Sequence, residues 1–110
     1  MIVLKRINST LVEKTIQPGT TEEFFNIDLN TSEAFDWNIK TVMLSTGARG
    51  IVKVSSLYTD DTIVSTTYAI LGTRFSTNVD VFVSADDCCV LAITNNGSSI
   101  IRCSVKLKTF

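Results

Sequence analysis

The sequence predicts an all-β fold: an antiparallel β-sandwich of about eight strands, jelly-roll-like or immunoglobulin-like, with a small barrel as the alternative. Three observations lead there. From residue 36 to residue 110, apolar and polar positions alternate with period two, the mark of strands that bury one face. Short turn signals punctuate that alternation. No window sustains apolar spacing of three and four over three turns, so helix content is low. A succession of about eight short strands closes as a sandwich or a barrel.

The elements follow in order. Residues 10–16 alternate weakly and end at Gln17-Pro18-Gly19-Thr20, a turn in which Pro presets φ at the first corner and Gly accepts positive φ at the second. Residues 23–29 set Phe25, Ile27 and Leu29 on one side and Phe24, Asn26 and Asp28 on the other, a half-buried strand before a polar loop at 30–33. From 37 to 44 both faces carry apolar residues, Trp37, Ile39 and Met43 on one and Val42 and Leu44 on the other, which suits a central strand. Ser45-Thr46-Gly47-Ala48 breaks it. Residues 51–58 and 62–70 flank Thr59-Asp60-Asp61, where short acidic side chains bond their own backbone and tolerate left-handed φ; these read as a hairpin. Leu71-Gly72-Thr73-Arg74 is another loop. Val79, Val81 and Val83 then alternate with Asp80, Phe82 and Ser84 up to a second acidic turn at Asp86-Asp87. The last predicted hairpin joins 88–94 to 99–107 through Asn95-Asn96-Gly97-Ser98, because Asn-Gly is the dipeptide that a type I′ turn demands.

A chain of 110 residues makes one domain, 1–110, burying about two-thirds of the surface its unfolded form would expose. Within it, 1–22 reads as an edge strand or an N-terminal arm. Ten basic and eleven acidic side chains are spread without blocks and leave a net charge of −1. No electrostatic footprint for nucleic acid or an anionic membrane results. The longest apolar run, 88–93, falls far short of the roughly 20 residues that cross a bilayer. In the first six residues the charges follow the apolar stretch, the reverse of a secretory signal, which predicts synthesis and retention in cytoplasm.

The absence of histidine weighs against enzymatic function. Without it, Ser–His and Cys–His nucleophiles have no base. Asp60-Asp61 and Asp86-Asp87 are the candidates for a glycosidase pair or for calcium ligands, but hairpin chemistry alone explains both, and no spaced acidic loop supports a metal. Cys88, Cys89 and Cys103 are odd in number, and neighbours on a strand point to opposite faces, so they make no zinc-type cluster. Reduced, buried thiols are expected, since a Cys88–Cys103 bridge would run diagonally across the last hairpin and strain its geometry. No cofactor and no catalytic residue is expected.

Two constellations point to contact. In the last predicted hairpin, Cys88, Val90 and Ala92 share a face with Ile101, Cys103, Val105 and Leu107, while Cys89, Leu91 and Ile93 share the other with Ile100, Arg102, Ser104 and Lys106. A sandwich strand needs only one buried face. The second face, with Leu91, Ile93, Ile100 and Arg102, is therefore the candidate partner interface. It would be covered by residues 1–22 of the same subunit or of a neighbour, or by a partner. Separately, Trp37, Tyr58 and Tyr68 with Asp60 and Asp61 form a candidate glycan platform, aromatic rings for stacking and carboxylates for sugar hydroxyls. The strand continuing from Trp37 through Ile39 and Met43 argues instead that Trp37 is core.

Several stretches together resemble a known group. They are Gln17-Pro18-Gly19-Thr20, the Trp37 strand, Leu57-Tyr58-Thr59-Asp60-Asp61-Thr62, Thr67-Tyr68-Ala69-Ile70-Leu71-Gly72, and Leu91-Ala92-Ile93-Thr94-Asn95 before a final strand. The pattern, which covers most of the chain from Gln17 onward, resembles the small β-sandwich virion proteins of tailed bacteriophages, including decoration proteins and the domains of head fibres and necks. That resemblance implies a non-enzymatic structural role. It implies a virion location after synthesis in the host cytoplasm, protein partners among other virion components, and a homo-oligomer with a trimer favoured. The alternative function is a carbohydrate-binding module serving host attachment. Exposed Trp37 and Tyr58 would favour sugar binding; buried aromatics with an exposed Leu91 and Ile93 patch would favour assembly.

Overall fold

A computed structural model describes residues 9–30 and 32–110. Among them the chain forms β1 (Ser9–Ile16), β2 (Thr21–Asp28), β3 (Ala34–Met43), β4 (Arg49–Thr59), β5 (Thr62–Gly72), β6 (Thr77–Val83), β7 (Cys88–Asn95) and β8 (Ile101–Thr109). They build two antiparallel sheets, one ordered β1-β8-β3-β4-β5 and the other β2-β7-β6. The sandwich that the alternating pattern predicts is the fold observed. Its pairing is nested: first strand with last in one sheet, second with second-to-last in the other. The hairpin β4–β5 then prolongs the larger sheet, and β1 lies as the opposite edge strand on its own subunit's β8. Residues 1–8, the start of the expected arm, lie outside the described residues.

Alternation builds the core. β3 turns Phe35, Trp37 and Ile39 inward and β8 turns Ile101, Cys103, Val105 and Leu107, and these meet Cys89, Leu91 and Ile93 of β7 and Phe24 and Phe25 of β2. Trp37 sits at the centre with no exposed surface, its ring 5.7 Å from Phe35 and 5.5 Å from Phe25. Its indole N–H needs an acceptor once buried, and Ser56 Oγ provides one at 3.0 Å, itself 2.7 Å from Ser65 Oγ. No buried side-chain polar atom among the described residues lacks a partner.

Most turns obey their residues. Gly19 has φ of 76° and Thr20 N–H donates to Gln17 C=O at 3.2 Å, the type II turn expected of Pro-Gly. Asp60 and Asp61 have φ of 52° and 60° between the paired Thr59 and Thr62, a two-residue type I′ turn. Asp87, at 57°, closes the β6–β7 hairpin, where Ser84 N–H donates to Cys88 C=O.

Two expectations need correction. Phe24 and Phe25 were placed on opposite faces of β2, yet a bulge between Glu23 and Phe25 shifts the register and buries both. More consequentially, β7 and β8 are not a hairpin: they lie in opposite sheets, and 96–100 carries the chain between them. Asn95 explains the false signal. Its Oδ1 accepts the Gly97 N–H at 3.0 Å, so the Asn side chain bonds backbone two residues on and turns the chain without any positive φ at Gly97. Cys88 and Cys103 therefore stand in different sheets, and all three cysteines are free thiols.

Candidate functional site

The correction at β7–β8 dissolves the predicted interface. Leu91 and Ile93, 0% and 1% exposed, point into the space between the sheets, because β7 is the central strand of the smaller sheet and is covered by the larger one. Ile100 stays exposed in the crossing segment, and Arg102 lies on the outer face of β8 with its Nε 3.9 Å from Glu13 Oε1. The four residues do not share a surface.

The glycan platform is likewise not formed. Trp37 is wholly buried, as the apolar continuation of its strand argued. Tyr58 is half-buried near the tip of β4, and its hydroxyl donates to Asp61 Oδ1 at 3.3 Å. Burial, followed by the charges of Asp61 and Asp87, pushes the Tyr58 phenol above its ordinary range. β5 runs away from the Asp60–Asp61 turn and β6 returns, so the two acidic turns lie at the same end of the sandwich. Among the described residues, however, no three acidic or cysteine side chains are grouped as metal ligands would be. No helix there is long and apolar enough to cross a membrane.

The surface that stands out instead is the edge of the larger sheet at β5. Five strands on one side and three on the other leave β5 overhanging, so nine of its eleven residues are exposed. On the outer face Leu57 of β4, 46% exposed, pairs with Val64 at 52%, and Leu71 at 59% extends the apolar surface along the strand. Tyr68 is the extra residue of a bulge opposite Lys53 and Val54. From there it reaches across β4, its hydroxyl donating to Asp36 Oδ1 on β3 at 2.9 Å. That bond, more than partial burial, pushes its phenol up. On the inner face, Thr67 and Ile70 line a cleft of about 290 Å³ with Val79 of β6 and Arg74 and Phe75 of the loop before it.

The four sheet edges differ in charge. β1 carries Glu13 and Lys14, the latter bonded to Glu23 C=O at 2.6 Å; β2 carries Glu22, Glu23 and Asp28; β6 carries Asp80. β5, reading TIVSTTYAILG, carries none. The sequence already held this signal as twelve successive uncharged residues between Asp61 and Arg74. Alternation alone concealed it, because strand period says nothing of which strand lies at an edge. Asn95 was missed as well: its amide donates to Ile16 C=O at 3.0 Å and Ser99 C=O at 2.8 Å and joins three chain segments where the sheets meet.

No protein-family model matches the chain, and no curated protein matches it.

Proposed function

We propose that this protein is a non-enzymatic structural component that works by surface contact. In line with its resemblance to small phage β-sandwiches, the surface it joins is that of a tailed-phage particle, where it seats on capsid or tail as a decoration, cement or fibre-type protein. One observation carries the reading: the exposed apolar side chains of Val64, Tyr68 and Leu71 on the uncharged strand β5, with Leu57 beside them on β4. Several large apolar side chains exposed along one sheet edge of a small domain mark an interaction site, and tyrosine with aliphatic neighbours is the composition of an interface centre. Its location differs from the Leu91 and Ile93 patch expected from sequence, but its chemistry is of the same kind.

Co-sedimentation tests this. The purified chain is run through a density gradient with purified capsid and tail particles, beside Val64→Lys/Leu71→Lys, which charges the patch at two exposed positions. The wild type is expected to travel with particles and the variant to stay at the top. A wild type that stays at the top refutes the particle reading, and glycan-array binding by that same protein would move it to carbohydrate recognition.

A further inference from the structure

We infer that the free edge of β5 pairs antiparallel with β5 of a second copy, joining two five-stranded sheets into one across a two-fold axis at Ser65. The inference rests on reading β5 as a contact surface and names its partner. An edge strand presents a row of unpaired N–H and C=O groups, and proteins that remain apart blunt such edges with charge, proline or bulges. β1, β2 and β6 follow that rule with charge. β5 has neither charge nor proline, and its bulge at Tyr68 leaves 62–67 as a regular ladder.

The turn on one side and the bulge on the other set the register. The two-residue turn makes Thr59 and Thr62 a hydrogen-bonded pair, so by alternation Val64 and Thr66 direct their backbone groups to β4. Ile63, Ser65 and Thr67 direct theirs outward. Three outward residues spaced by two match their own reverse only about the middle one. Ser65 then meets Ser65 of the second copy, and Ile63 meets Thr67 on either side, with about six backbone bonds between copies.

Side chains agree with this register. On the outer face Val64 falls opposite Thr66 of the second copy, so β-branched residues face one another. Leu57, beside Val64, brings the two apolar patches together. No like charges meet across the axis, and Asp60 and Asp61 at the turn face the uncharged far end of the partner strand. A ladder of six residues, 62–67, is roughly 20 Å long. With its side chains it covers on the order of 400 Å² per copy, about 800 Å² in all, the size of a weak, transient interface. Such a dimer dissociates on dilution. Its symmetry is two-fold and isologous, so the assembly contains two copies rather than the three that the resemblance suggests.

Light scattering on the whole chain, concentrated and diluted, tests the pairing. The wild type should give twice the chain mass when concentrated and the chain mass when dilute. Ser65→Pro removes an outward N–H while leaving Leu57, Val64 and Tyr68 in place, and a strand edge tolerates proline there. It should give the chain mass throughout, with an unchanged far-ultraviolet circular dichroism spectrum. Val64→Lys/Thr66→Lys sets ammonium against ammonium and should also dissociate the dimer; Val64→Lys/Thr66→Glu should restore it at low salt. These two exposed-site variants decide the matter if Ser65→Pro does not fold. A wild type with the chain mass at every concentration overturns the pairing. So does a Ser65→Pro dimer that only the lysine variant dissociates, which would assign contact to the sheet face. In either case, wild-type protein that still travels with particles keeps the proposed function while the edge pairing fails.

Discussion

Replacing Asn95 by alanine should destabilise the fold by about 3–4 kcal/mol without touching the exposed surface. Asn95 is 1% exposed, and its side chain makes bonds to Ile16 C=O, Ser99 C=O and Gly97 N–H. Its backbone adds bonds to Gly19 and Thr20, so the β1–β2 corner and the β7–β8 crossing are held at one residue. Each side-chain bond contributes about 1 kcal/mol net, and the Ile16 carbonyl, left buried without a donor, adds part of a desolvation penalty. Against a total of about 5–15 kcal/mol this is a large share. For a domain of this size it lowers the melting temperature by roughly 12–20 °C. The assay is urea denaturation followed by fluorescence of Trp37, the chain's single tryptophan and wholly buried. Asn96→Ala, on an exposed neighbour, is the control and should change stability by no more than about 0.5 kcal/mol. Equal midpoints for the two variants would refute the clamp. Asn95→Asp adds a test by sign. Burial raises the folded pKa of the new carboxyl above its unfolded value of about 3.9. Its stability is therefore fully present below that value and is lost as pH rises through the folded pKa, so this variant should be least stable at neutral pH.

Further expectations concern the core, the turns and the thiols. Leu91→Ala should cost about 2–5 kcal/mol in a denaturation midpoint, and Leu91→Asp should abolish the fold; a folded Leu91→Asp protein with altered mass would return Leu91 to an interface. Gly72→Ala should cost about 2 kcal/mol or more, because its φ is 76° and a Cβ would lie 2.6 Å from Arg49 C=O. Gly97→Ala, with no positive φ and its nearest neighbour at 3.3 Å, should lie within about 0.5 kcal/mol of wild type in the same melts. The opposite ranking would mean that Gly97 occupies a type I′ turn after all. Burial pushes the Cys89 thiol from 9.0 up to about 12, and Cys103 upward too against a bond to Thr41 that lowers it. Since the folded value is raised, stability should be constant below pH 9 and fall between about 9 and 12, a decline that Cys89→Ala should reduce. A disulfide-exchange reagent at neutral pH should label neither buried thiol before denaturation.

Local chemistry made most elements legible. Pro18-Gly19, Asp60-Asp61 and Asp86-Asp87 each bend the chain as their residues dictate, since a turn is decided by the φ values that four residues allow. Trp37 was recognisable as core because its strand face continued apolar. Asn96-Gly97 misled because an Asn side chain can turn the chain in two ways: by accepting left-handed φ, or by bonding the backbone two residues on. Both look alike in sequence. The misplaced hairpin then put Leu91 and Ile93 on a surface, although the apolar character that singled them out was real and belonged to a central strand.

What the sequence by itself determined is the all-β class, the approximate strand positions, the inward face of β3 and the hairpins β4–β5 and β6–β7, all of which follow from side-chain period and backbone φ preferences within a few residues. The tertiary structure alone decided which strands share a sheet, for antiparallel partners 70 or more residues apart, such as Thr21 and Thr94, leave no local mark. Sheet assignment in turn decided everything about the candidate site. Five strands packed on three leave β5 overhanging with a free edge, and it is the place of Leu57, Val64, Tyr68 and Leu71 on the outer face of that larger sheet, not any local feature, that exposes them.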